Sequence, residues 1–169
     1  DCLIIGVSLY DRVDIIAVGP GIKDIPLGTA VTKVHCKHNG TVIAFFHQYA
    51  CQTGEDGYGT GPTIHSTVQL ESFGLEVQDH VCRGRQYIKT PEGFEFELLT
   101  RAGLTYLKQA RLTLDDLNKY PHVFFTSDMP WDPTKYDDAN LGEDKSPDGE
   151  DESPDDTYVE VEEIDDNSN

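Results

Sequence analysis

Basic residues are scarce in this 169-residue sequence: 13 Lys and Arg stand against 31 Asp and Glu, a formal charge of -18. Such a chain repels phosphate backbones and anionic lipid surfaces, so no direct nucleic acid binding and no membrane association are expected. Long apolar runs are missing as well. Those present, such as Leu3–Ile5 and Val42–Phe46, fall far short of the ~20 residues that a spanning helix requires. Methionine occurs once, at Met129, and the sequence opens on Asp1, so it is expected to be a processed piece or a fragment of something longer. Cysteine is limited to Cys2, Cys36, Cys51 and Cys82. With nothing that reads as an export signal, these are expected to be buried or incidental thiols rather than a disulfide framework, in an intracellular, cytoplasmic setting. The Gly-x-Ser-x-Gly, His-Glu-x-x-His and Gly-Lys-Ser/Thr patterns are absent, which removes the common hydrolase, metalloprotease and P-loop readings. No internal repeat of roughly 20–50 residues occurs, which removes solenoids and propellers.

The charge that is present is unevenly placed. Residues 137–169 hold fifteen acids and the single base Lys145, leaving sixteen acids and twelve bases, a net of -4, to residues 1–136. The chain is therefore a nearly balanced body followed by an acidic tail. That tail, dotted with Pro and Ser and poor in large apolar residues, is expected to be disordered.

The body reads as short strands broken by turn chemistry. Leu3–Gly6 and Val13–Val18 have the look of two buried-type strands, the second closed by Gly19-Pro20-Gly21. Residues 29–38 and 41–49 suggest a hairpin with Asn39-Gly40 as a type I′ turn. Ser66 and Gln69 fit a capping box at the start of a helix of about two turns ending near Gly74. Gln86–Thr90 and Phe94–Leu98 flank a Pro91-Glu92-Gly93 turn, Thr113 opens a second short helix that Pro121 stops, and Val123–Phe125 is a last short strand. Short strands joined by hairpins, without long crossover helices, predict a mainly β fold, an antiparallel barrel or sandwich with two short helices.

Candidate chemistry is sparse. His35, Cys36, His38, His47 and Cys51 are zinc-type ligands, but their spacing matches no zinc pattern and strand alternation separates His35 from Cys36, so no metal or other cofactor is expected. Asn39-Gly40-Thr41 matches a glycosylation acceptor and reads here as a turn. Residues 52–63 contain Gly54, Gly57, Gly59 and Gly61 with Tyr58 as their one apolar residue, which predicts a mobile surface loop rather than a phosphate cradle.

Specific strings go further than composition. Asp1-Cys2-Leu3-Ile4-Ile5-Gly6 resembles the segment after the catalytic Asp-Ser/Thr-Gly of retropepsin-type aspartic proteases. Val42–Ala50, Thr63–Ser66 with Gln69–Glu71, Thr90–Phe94, Pro121–Asp128 and Trp131–Pro133 resemble the protease-like region of copia-type retrotransposon polyproteins. The resemblance covers about residues 1–138. It implies a small retropepsin-like β barrel over 1–84, N-terminally incomplete, a β-rich extension over 85–136 packed on it, and an acidic linker or tail over 137–169. It also implies a flap-like loop at Gly54, Gly57, Tyr58, Gly59 and Gly61, a homodimer in which each half supplies one aspartate, and polyprotein segments as substrate. Aspartic protease chemistry needs two carboxylates sharing a proton. The Asp-Ser/Thr-Gly triplet is not in this sequence, and Asp1 falls about four places after the family's catalytic Asp, so no catalytic residue is assigned. The chain is expected to be an inactive protease-like domain. The alternative is a domesticated, non-enzymatic binding module whose acidic tail engages a basic partner.

Overall fold

The computed structural model describes residues 2–15, 21–60 and 63–136. The expected tail at 137–169 and the Ile16–Pro20 stretch lie outside the described residues. The described residues form a mainly β fold of two sheets, antiparallel but for one pair of strands, with a half-barrel.

Strand β1 (Leu3–Ile15) pairs with β2 (Ile22–Cys36), and β2 with β3 (Gly40–Ala50). A short helix α1 (Thr67–Ser72) leads to β4 (Glu76–Gln78), β5 (Tyr87–Lys89), β6 (Glu95–Arg101) and β7 (Leu104–Leu107), which form a four-stranded meander. Strand β8 (Gln109–Ala110) returns to β2. Helix α2 (Leu114–Lys119) precedes β9 (His122–Phe124), which lies parallel to β3. That single parallel pairing departs from the all-antiparallel expectation. With β2 already on one edge of β3, the chain returning from α2 takes the free edge in the same direction.

Strand β3 explains the layering. Val42, Ala44 and Phe46 point into the main core with Ala30, Val34, Phe96 and Phe125. Ile43 and Phe45 point the other way, onto Val31 and Leu112 with Leu117 and Tyr120 alongside. A period of two with both faces covered turns an alternating strand into the continuous apolar run Val42–Phe46. Aromatic rings then join the sheets: Phe125 lies 4.8 Å from Phe46 and 4.9 Å from Phe96, centroid to centroid. The boundary read near residue 84 runs between β4 and β5, which are paired neighbours.

Three local expectations change. The two N-terminal strands are one, β1, running through residues 7–12 with bulges, because β2 begins at Ile22 and extends the hairpin beyond the apolar runs. The turn after β2 spans 37–39, and Gly40, not Asn39, takes the left-handed backbone at φ 73°. A two-residue turn with both φ positive occurs instead at Ala102 (48°) and Gly103 (78°), between β6 and β7, a hairpin the apolar pattern did not announce. Both helix starts are as expected. The Ser66 hydroxyl accepts from the Gln69 N–H at 3.2 Å, although the Gln69 amide donates to the Gln48 carbonyl rather than back to the cap. Asp116 accepts from the Thr113 N–H at 2.7 Å and from Lys33 at 2.8 Å, which holds its carboxyl down at about 2.

Candidate functional site

An apolar groove of about 570 Å³ opens beside the start of β1. The β1–β2 hairpin contributes Ile4, Val13, Ile15, Ile22, Ile25 and Leu27. The end of β3, the loop after it and the approach to α1 contribute Tyr49, Cys51, Gly59, Thr63 and Ile64, and Trp131 and Pro133 complete the lining. Behind the groove β1 and β2 approach closely at Gly28, where a Cβ would stand 2.4 Å from the Gly6 carbonyl oxygen. On the far side β3 carries a bulge: three steps from Phe46 to Tyr49 oppose two from Ala30 to Gly28, and Gln48 takes φ 58°. This left-handed turn at a non-glycine residue stores strain at the groove wall. It is held by the Gln69 amide on the Gln48 carbonyl and by the Gln48 amide on the Asp128 carbonyl, each at 3.2 Å.

A chain of polar side chains ties the groove walls together. Gln109 on β8 donates through Nε2 to His65 Nε2 at 2.8 Å, and its Oε1 accepts from the Cys2 thiol at 3.4 Å. Cys2 also meets the Thr63 hydroxyl at 3.3 Å. With Nε2 accepting, His65 carries its proton on Nδ1 and donates it to the Tyr49 hydroxyl at 2.9 Å. Burial holds the His65 imidazole down at about 4, pushes the Cys51 thiol up to about 11, and raises the Cys2 thiol and the Tyr49 phenol. All four are neutral near pH 7. A neutral Cys2 thiol with its hydrogen committed to Gln109 is a poor nucleophile. The one acidic residue of the lining is Asp14, whose Oδ1 accepts from the Asp24 N–H at 2.9 Å. Among the described residues no second carboxylate lines the groove, so within one chain no two acids are placed to share a proton.

The glycine-rich loop sits at one side of this groove. Gly57 turns the chain at φ 80°, and its carbonyl accepts from the Ile4 N–H at 3.0 Å. Gly54 N–H donates to the Tyr58 carbonyl at 2.7 Å and Gly59 N–H to the Cys2 carbonyl at 2.9 Å. The Tyr58 hydroxyl donates to the Leu112 carbonyl at 2.5 Å, with the Arg111 guanidinium 3.9 Å above its ring and the same guanidinium paired to Asp56 at 2.5 Å. Composition predicted mobility, but the loop is clasped at both β1 and residues 111–112. Gly61 lies outside the described residues.

The zinc-type residues do not converge. Cys36 is buried against Asn39, His47 Nδ1 bonds the Thr29 hydroxyl at 2.8 Å, and the Cys51 thiol donates to the Tyr49 carbonyl at 3.2 Å. Among the described residues no three His, Cys, Asp or Glu side chains are placed to share a metal ion, and no helix is long and apolar enough to cross a membrane. No family model, curated protein or solved structure matches the chain. The site therefore rests on its own geometry. His65, Gln109 and Trp131 were missed by sequence reading because each stands alone in its string, and only the fold brings them to one groove.

Proposed function

We propose that this chain is a retropepsin-like domain of a copia-type retrotransposon polyprotein, one that holds an extended apolar peptide in the groove and does not cleave it. The observation that carries the reading is the groove itself, whose wall includes Cys2, immediately before β1. In the family that the Cys2–Gly6 string resembles, the segment just before this strand bears the catalytic aspartate. A mainly β body built on hairpins, with a short helix after the second one, agrees with that resemblance. The predominantly aliphatic lining suits aliphatic side chains, and an extended backbone would find an amide partner in Gln52, the NH2 groups of Gln48 and Gln69 being engaged within the wall.

The chemistry limits the activity. The lining carboxylate, Asp14, is already bonded to the backbone and lies in Asp14-Ile15-Ile16 rather than in the Asp-Ser/Thr-Gly triplet from which each half of a dimer would supply its aspartate, so the 169-residue chain is expected to leave peptides intact at about pH 4–6, where a shared-proton pair works. Trp131, the one tryptophan of the sequence and a lining residue, reports occupancy through its fluorescence. Titration with a blocked hexapeptide of Val, Ile and Leu is expected to shift that emission saturably without releasing fragments. Cleavage abolished by an active-site-directed aspartic protease inhibitor would overturn the inactive reading, and an unchanged emission would overturn the peptide groove.

A further inference from the structure

A second hollow, of about 480 Å³, lies away from the groove, between the β5–β6 turn and the segment after β9. Its aromatic wall is Phe124, 57% exposed, with the His47 ring stacked on it at 10° and 5.9 Å and Phe45 packed behind at 5.1 Å. The His47 ring is fixed in that plane by its bond to Thr29. Glu92, on the turn, and Asp128, after β9, also line the hollow. Neither carboxylate makes an ion pair or a side-chain hydrogen bond among the described residues, although Asp128 is anchored through its carbonyl to Gln48.

The geometry points to a binding site for an arginine side chain of a partner protein. A guanidinium is a flat cation that stacks on an aromatic face while its fork of N–H groups reaches carboxylates. Two uncommitted carboxylates beside an exposed ring supply both halves of that recognition, and the hollow is wide enough for the side chain with some flanking backbone. The protein uses the same chemistry internally, where Arg111 lies over Tyr58 and pairs with Asp56. An overall charge of -18 favours the encounter with a basic surface. This site is independent of the peptide groove, since the two hollows share no lining residue.

The test is an amide NMR titration of the full chain with Ac-Gly-Arg-Gly-NH2 and with its citrulline counterpart, which keeps the shape and lacks the charge. Saturable shifts at residues 47, 92 and 124–128 are expected for the arginine peptide, with about tenfold weaker binding for citrulline. The surface double variant Glu92→Gln/Asp128→Asn should lose about tenfold in affinity with the rest of its spectrum unchanged, and Phe124→Leu should weaken binding without removing it. Shifts spread over the acidic surface and equal in the double variant, or equal affinity for both peptides, would overturn the assignment.

Discussion

Acidification should destabilise this protein through His65 in particular. The imidazole sits against Phe46, with ring centroids 4.7 Å apart, and both its nitrogens are engaged, Nδ1 with Tyr49 and Nε2 with Gln109. Protonation would add a hydrogen to Nε2, facing the Gln109 NH2 group, and relief would require that amide to turn and give up its bond from Cys2. The fold therefore favours the neutral ring, and its pKa falls from 6.5 to about 4. Because the folded value is depressed, the unfolded chain binds the proton first. Stability is intact above about pH 6.5 and is lost progressively as the pH falls towards 4. At about 1.4 kcal/mol per pH unit the full loss is about 3 kcal/mol, an upper bound because the ring is partly exposed. Urea unfolding of the wild type and of His65→Gln at pH 7, 5 and 4 isolates the contribution, since the other five histidines and all carboxylates are common to both. The wild type should lose up to about 3 kcal/mol more than the variant between the extremes. An NMR titration placing His65 above pH 6, or equal acid sensitivity in the two proteins, would refute the argument.

Other consequences follow from the same packing. Gly28→Ala should destabilise by about 1–3 kcal/mol, because the new methyl meets a backbone oxygen that cannot move without parting β1 from β2; chemical denaturation measures it. Phe125→Ala should cost about 3–5 kcal/mol by removing the ring that joins the two sheets, read as a fall in the denaturation midpoint at unchanged slope. Tyr58→Phe should cost about 1 kcal/mol and raise hydrogen exchange at Gly57 and Gly59 while leaving the β2–β3 amides protected, and uniform loss of protection would show that the loop is not a separate unit.

Much of the fold was legible where one interaction dominates. The apolar run Val42–Phe46 announced a central strand, and Ser66 and Thr113 announced helix starts because capping is decided within four residues. Turn geometry was legible only in part. Asn39-Gly40 carries the stronger turn signal, yet Ala102-Gly103 adopts the two-residue form, because strand register set by Leu98–Arg101 against Leu104–Leu107 overrides local preference. The contacts of the glycine-rich loop were illegible for a similar reason: its partners, Ile4, Cys2 and Leu112, lie far off in sequence. The candidate groove was the least legible part. Cys2, Tyr49, His65, Gln109 and Trp131 come from five separate stretches, and no spacing rule connects them.

The parallel seat of β9 also governs how the protein is made. Phe125 N–H donates to the Phe45 carbonyl, and Thr126 bridges the backbone of His47 in both directions, at 2.7 and 2.8 Å. Strand β3 thus waits for a partner about eighty residues downstream, and until it arrives Phe46 lacks the Phe125 ring that it packs against. Closing so long a loop is entropically slow. A nascent chain halted after residue 84 would present an open strand edge beside an uncovered aromatic face, the combination that invites pairing between molecules. Residues 1–84 therefore form the first half of a folding unit that is completed only when the Val123–Thr126 segment leaves the ribosome.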